Sequence, residues 1–134
     1  MADLAEEVLK AANTIAVVGL SRDPAKAAHS VPAAMQAAGF RVIPVHPSAD
    51  ELLGEKVYRS LADIPEPVDI VDVFRPAREA PRVAEQAVAI GAKTLWLQQG
   101  IASAEARRIA ESGGLNYVED RCIAVVRALA RIRK

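Results

Sequence analysis

Apolar and polar positions along the chain switch repeatedly between a helical and an extended period. Leu4, Val8, Leu9 and Ala12 form an apolar stripe behind Asp3 and Glu6, which predicts a first helix ending near Asn13. Ile15–Leu20 is apolar throughout and reads as a strand buried on both faces. A polar loop, Ser21–His29, follows it. Ser30 is the expected cap of a helix running to Ala38, with Pro32 tolerated in the first turn and Gly39 as the stop. Arg41–Val45 is the second strand, broken by His46-Pro47. Leu52–Lys56 reads as a turn, Val57–Arg59 as a short edge strand and Ser60–Ile64 as one helical turn. Val68–Phe74 is the next strand, and Ala77–Ile90 carries the helical stripe Ala80, Val83, Ala84, Ala87 and Val88. The remainder alternates in the same way: strand Thr94–Leu97, helix Ser103–Ser112, strand Leu115–Val118, and helix Cys122–Arg131 with Asp120 as its cap.

Strands alternating with helices require right-handed crossovers. The expected fold is therefore α/β: a three-layer sandwich around a mainly parallel sheet of five to six strands, with residues 1–134 forming a single domain. Connections leave the first strand in opposite directions in the two halves of the chain. Such a reversal opens a ligand crevice outside the strand C-termini. Composition agrees, since 51% of residues are hydrophobic but only 4% aromatic, which suits alanine-rich helices over a parallel sheet.

Charge and cysteine content narrow the functional classes. Seventeen basic residues balance seventeen acidic ones, whereas nucleic-acid binders carry a basic surplus. Cys122 is the only cysteine, which excludes an intrachain disulfide and a multi-cysteine metal site. His29 and His46 stand in different contexts, so no zinc motif assembles by spacing. No apolar run approaches the roughly 18 residues of a membrane span, and the acidic N-terminus is unlike a signal peptide. A soluble, cytoplasmic protein without a membrane or nucleic-acid partner is the expectation.

The crevice-lining positions follow from the strand ends. They are Gly19–Arg22 with Lys26 nearby, His46–Ser48, Phe74–Pro76 and Gln98–Gly100. Arginine and lysine meet phosphate, an apolar wall of Phe74 and Pro76 holds a base, and amides fix orientation. Gly19 stands alone, with Ser21 and Pro24 where the dinucleotide fingerprint wants further glycines. The second strand ends in Val45-His46-Pro47 rather than in the acid that grips ribose hydroxyls in an NAD site. That tip tolerates a ribose phosphate, which an Asp would repel. A P-loop, G-x-x-x-x-G-K-[ST], is absent from the sequence.

Six ordered motifs now carry a resemblance. They are Val17–Lys26, Gly39–Pro47, Gly54–Leu61, Val68–Phe74, Leu95–Ile101 and Asp120–Ile123. Together they resemble the small stand-alone CoA-binding proteins, and through them the CoA-binding domain of the succinyl-CoA synthetase alpha subunit, over residues 14–126. The resemblance implies a Rossmann-like domain that binds coenzyme A at the C-terminal edge of the sheet. It implies that Gly19, Ser21, Arg22 and Lys26 form the phosphate-side loop and that Pro47 keeps the family's bend, with His46 in place of the usual Asn. It further implies that Phe74, Arg75 and Pro76 lie against the adenine, and that Gln98 and Gly100 flank the pantetheine arm. The synthetase's phosphohistidine belongs to a second domain that has no counterpart here, so the resemblance brings binding of CoA or an acyl-CoA and not ligase chemistry.

Other chemistry is weighed on the same residues. Ser21 has no His and carboxylate placed to activate it, so a phosphate-contacting hydroxyl or loop cap is expected. Cys122 reads first as a small core residue, with a redox role as the alternative. Asp69 and Asp72, three apart on a strand, point to opposite faces and cannot form a catalytic pair. Trp96 is expected to pack beneath a helix. Arg75, Arg78 and Arg82 share one helical face that serves either phosphate or solvent. Two rival functions stay open: an NAD(P)- or CoA-dependent enzyme with His46 as its general base, and a regulatory module that has lost its ligand. A homo-oligomer or a protein partner is compatible with either.

Overall fold

The structure, a computed structural model, describes residues 3–134. Its centre is a sheet of five parallel strands: β1 (Thr14–Val18), β2 (Arg41–Val45), β5 (Ile70–Val73), β6 (Thr94–Leu97) and β7 (Asn116–Val118), in the order β2-β1-β5-β6-β7. A two-stranded antiparallel hairpin, β3 (Glu51–Leu52) and β4 (Glu55–Lys56), stands apart from it. The order reverses between β1 and β5, which places the switch point at the centre of the sheet.

Helices cover both faces. α1 (Leu4–Ala11), α2 (Ala27–Ala37) and α5 (Ile123–Leu129) pack on the side reached by Ile15, Val17, Ile70 and Trp96. α3 (Ala80–Ala89) and α4 (Ala104–Ser112) pack on the side reached by Ala16, Val71, Val73, Leu95 and Leu97. The period-two alternation along each strand produces this division, and double coverage is why β1, β5 and β6 place apolar residues on both faces. Trp96 lies fully buried among the α1, α2 and α5 contacts, with its Nε1–H donating to the Arg121 carbonyl at 2.8 Å.

The two aspartates of the fourth sequence strand have different surroundings. Asp69 precedes β5, where its Oδ2 accepts the N–H groups of Asn13 at 2.8 Å and Thr14 at 3.0 Å, tying the entrance of β1 to that of β5. Asp72 lies inside β5, 1% exposed, and neither carboxyl oxygen has a hydrogen-bond partner among the described residues. Burial pushes its carboxyl well above the usual carboxylate range.

Four local expectations are corrected. α2 begins at Ala27, not at Ser30, with Lys26 at the cap position and no side-chain cap bond. The helix-favouring pair Ala27-Ala28 extends the helix backward, so Pro32 falls in its interior rather than its first turn. The expected edge strand at Val57–Arg59 is instead a single parallel bridge from Tyr58 to Val45, and the expected turn at Leu52–Lys56 is the β3–β4 hairpin. Asp120 does not cap α5: it adopts φ +55° and its carboxylate accepts the Gly100 N–H at 2.7 Å, leaving Cys122 at the cap position without a side-chain bond. No helix among the described residues is long and apolar enough to cross a membrane.

Candidate functional site

β1 ends at Val18, and Gly19 turns the chain at φ +91°, in the left-handed region that favours glycine. Space is a second constraint, because a Cβ at Gly19 would lie 2.8 Å from Cδ of Arg75 and 3.3 Å from the Phe74 carbonyl oxygen. The turn and the segment after β5 are therefore in close contact. Ser21 is anchored from the other side. Its N–H donates to the Ala28 carbonyl at 3.0 Å, and His29 Nδ1 lies 2.7 Å from its carbonyl, so that nitrogen carries the proton. The Ser21 hydroxyl accepts the Asp23 N–H at 3.0 Å, as a loop cap would.

These segments wall a cleft of about 1050 Å³ at the C-terminal edge of β1, β2 and β5. Gly19–Asp23, Lys26 and Ala28 form one side, His46, Pro47 and Arg59 another, and Phe74, Arg75, Arg78, Glu79, Arg82 and Gln86 the third. Six cationic side chains face two acidic ones, Asp23 and Glu79, so the cleft is electropositive although the whole chain is neutral. A smaller hollow of about 220 Å³ lies at the opposite sheet edge against α1. Its one carboxylate from the sheet entrance, Asp69, is already engaged by backbone amides.

His46 has a defined tautomer. Its Nδ1 accepts the N–H groups of Ser48 at 3.1 Å and Ala49 at 2.9 Å, which leaves the proton on Nε2. Burial, then the neighbouring Arg22 and Arg59 charges, hold its pKa below the ordinary histidine value. Arg59 spans the same turn, donating to the carbonyls of His46 and Ala49 and to the Asp50 carboxylate at 2.8 Å. Arg22 donates to Ser48 Oγ at 3.1 Å. On the far wall, Arg75 makes a two-pronged contact with Glu79 at 3.1 and 2.9 Å.

Of the residues nominated from sequence, Gly19, Ser21, Arg22, Lys26, His46, Pro47, Phe74 and Arg75 line this one cleft. Pro76, Gln98 and Gly100 are not among its lining residues. Gln98 is 4% exposed and turned inward, its Oε1 accepting the Ile123 N–H at 3.0 Å while its Nε2 has no partner among the described residues. Gly100 belongs to the β6 loop, tied to Asp120. Arg59 and Glu79 were not nominated. Arg59 is carried to the cleft by the Tyr58–Val45 bridge; the sequence marks Val57–Arg59 as extended but not Val45 as its partner. Glu79 stands four residues after Arg75, and that ion-pair spacing was readable in the sequence.

Comparison with known proteins places this geometry among relatives. A family model described as CoA binding domain matches residues 13–128. The uncharacterized protein YneT of Bacillus subtilis is 42% identical over 126 residues, covering 94% of this chain and 93% of that one. The structure of cell-free ID.343 from Thermus thermophilus is similar with a TM-score of 0.91 and 38% identity, covering 97% of this chain and 99% of that one. An ADP-forming acetate–CoA ligase (II) of Archaeoglobus fulgidus is 34% identical over 82 residues, which are 60% of this chain but only 12% of the ligase.

Proposed function

The chain belongs to the CoA-binding domain family, and on that premise we propose that it binds coenzyme A, free or acylated, in the cleft at the β1/β5 switch point. The observation that carries this reading is the electropositive cleft built around Gly19, with Arg22 and Lys26 beside the first turn of α2. Charged donors beside a helix N-terminus suit the pyrophosphate. Phe74 offers an apolar surface to the adenine. Pro76, Gln98 and Gly100 are assigned no contact, because they stand outside the cleft lining.

Binding without chemistry is favoured over the enzyme reading by the state of His46. A general base needs a free lone pair facing its substrate. The lone pair on Nδ1 is taken by two backbone N–H groups, and Nε2 is protonated. The cleft then holds phosphates and a base but offers no proton acceptor where the sequence suggested one.

Calorimetric titration of ligand-stripped protein with CoA, and with NAD in the same buffer, tests the proposal. Saturable binding of CoA but not NAD is expected, with a loss of about tenfold or more when Arg22 and Lys26 are both changed to Ala, since each removes a charge-assisted contact. NAD binding of equal strength would restore the dehydrogenase reading. Undiminished CoA affinity in the double variant would place the phosphates elsewhere.

A further inference from the structure

α1, α2 and α5 cover one face of the sheet, and α5 packs against both of the others. All three run in the same direction. At one end Arg121 meets Asp3 at 2.6 Å, joining the starts of α5 and α1. At the other, Lys134 donates its backbone N–H to the Ala38 carbonyl at 2.8 Å and its Nζ to the Lys10 carbonyl at 2.6 Å, joining the segment after α5 to the ends of α2 and α1. A helix in an outer layer ordinarily turns polar side chains to water. α5 does not: Ile123 and Val126 enter the core, yet Val125, Ala128 and Leu129 are exposed, Leu129 to 79%. Its one charged side chain, Arg127, folds back onto the Ile132 carbonyl at 3.3 Å. The adjoining α2 carries no acid, lysine or arginine, and its exposed positions are Ala27, Ser30, Ala34 and Ala37. None of these exposed residues lines the cleft. Two adjacent helices thus leave an uncharged face uncovered, of the kind that marks an interaction site.

Charge gathers at the two ends of α5, and its sign differs between them. Glu119 and Asp120 precede the helix, with Glu6 one turn after Asp3 on α1, whereas Arg131 and Arg133 follow it. None of these five has an ion-pair partner among the described residues. Arg121 is neutralised by Asp3, and Lys26 at the start of α2 belongs to the cleft wall. A face that is apolar in the middle, acidic at one end and basic at the other matches itself only when reversed. We propose that it joins two copies of this chain about a two-fold axis, α5 of one lying antiparallel against α5 of the other. Val125 of each copy then meets Leu129 of its counterpart, and each acidic end meets a basic one. The small side chains on α2 let the two backbones approach, and a net charge of zero sets no long-range repulsion against the pair. With 11 residues α2 is only about 16 Å long, so the contact is short and the association reversible. Both clefts stay open, because they lie at the sheet edge rather than on this face.

Sedimentation equilibrium from about 1 µM to about 500 µM tests the proposal. A monomer–dimer equilibrium is expected within that range, weakening as salt is added. L129E sets an unpartnered carboxylate in the seam and is expected to weaken association by about tenfold or more. R131E/R133E should weaken it by about threefold or more and remove the salt effect. Circular dichroism reports whether each variant is folded, and A34E probes the same face from α2 should L129E disturb α5. A wild type that sediments as a monomer throughout overturns the proposal and leaves the face to a different protein. A dimer that both L129E and A34E leave intact lies elsewhere on the surface and overturns it as well. A dimer broken by L129E but indifferent to salt and to R131E/R133E overturns the antiparallel arrangement.

Discussion

The Ser21 N–H and the Ala28 carbonyl are joined at 3.0 Å across the loop that opens the cleft. Pro32 accounts for the bond. It stands four residues after Ala28 inside α2 and brings no N–H to the Ala28 carbonyl. The helix therefore leaves one acceptor without an intrahelical donor at its cleft end, and the Ser21 loop takes it. Pro32→Ala supplies a competing donor. Faster amide hydrogen exchange at Ser21 and weaker CoA binding are expected. Global stability should move by only about 1 kcal/mol, because a better helix residue is offset by lost burial. Unchanged exchange at Ser21 would show that the loop is held by other means.

If CoA enters the cleft as proposed, Glu79 is the acid on its wall that competes with the phosphates. Its two-pronged bond to Arg75 neutralises the cation that lies against the Gly19 turn. Glu79→Gln releases that cation at little structural cost, since an exposed i,i+4 pair contributes about 0.3–0.5 kcal/mol. CoA affinity is expected to rise, by about twofold to tenfold at low salt, and the gain should shrink as salt is added. Titrations at two ionic strengths check it, and a loss of affinity would mean that Glu79 positions Arg75 for the ligand.

Gly19 admits no side chain. Gly19→Ala meets both an unfavourable positive φ and the stem of Arg75, so destabilisation of about 1–3 kcal/mol is expected, with CoA binding lost in parallel. Denaturant unfolding reads the first effect and calorimetry the second. A variant of wild-type stability and affinity would mean that the turn relaxes freely.

Asp72 weakens the protein as pH rises. Its folded-state pKa lies well above 3.8, so the folded form holds a proton that the unfolded chain releases. The group's favourable contribution is complete below pH 3.8 and is lost as pH climbs through the folded pKa. Asp72→Val removes an unpartnered buried carboxyl from a strand whose neighbours are Val71 and Val73. It is expected to raise stability at pH 7 by about 1–3 kcal/mol and to flatten the decline with pH. Unfolding curves at several pH values decide the matter, and a destabilised variant would reveal a bridging water or other partner at Asp72.

Apolar runs such as Ile15–Val18 and Ile70–Val73 made the strands legible, because burial on both faces leaves little other composition available. The same runs placed Gly19, His46 and Phe74 at strand ends, and so in one cleft. Tertiary pairing hid the rest. Ser30 has good capping chemistry, yet the Ser21–Ala28 bond belongs with a helix that starts earlier. Asp120 has it too, but its carboxylate is drawn to the Gly100 N–H, a partner 20 residues away. Gln98 lies one alternation beyond Leu97, and that parity turns its amide into the protein rather than into the cleft. Arg59 arrived through a bridge between segments that no short window contains.

Trp96 is the chain's one tryptophan, sealed between β6 and the helices of the face opposite α3. Its indole is shielded from water and is not part of the cleft lining. The molecule thus carries an optical probe of its own integrity that is indifferent to occupancy: emission should be blue when folded and shift red on melting. Filling the cleft should leave that colour unchanged while moving the temperature at which it is lost, because a ligand that binds only the folded state shifts the unfolding equilibrium by mass action.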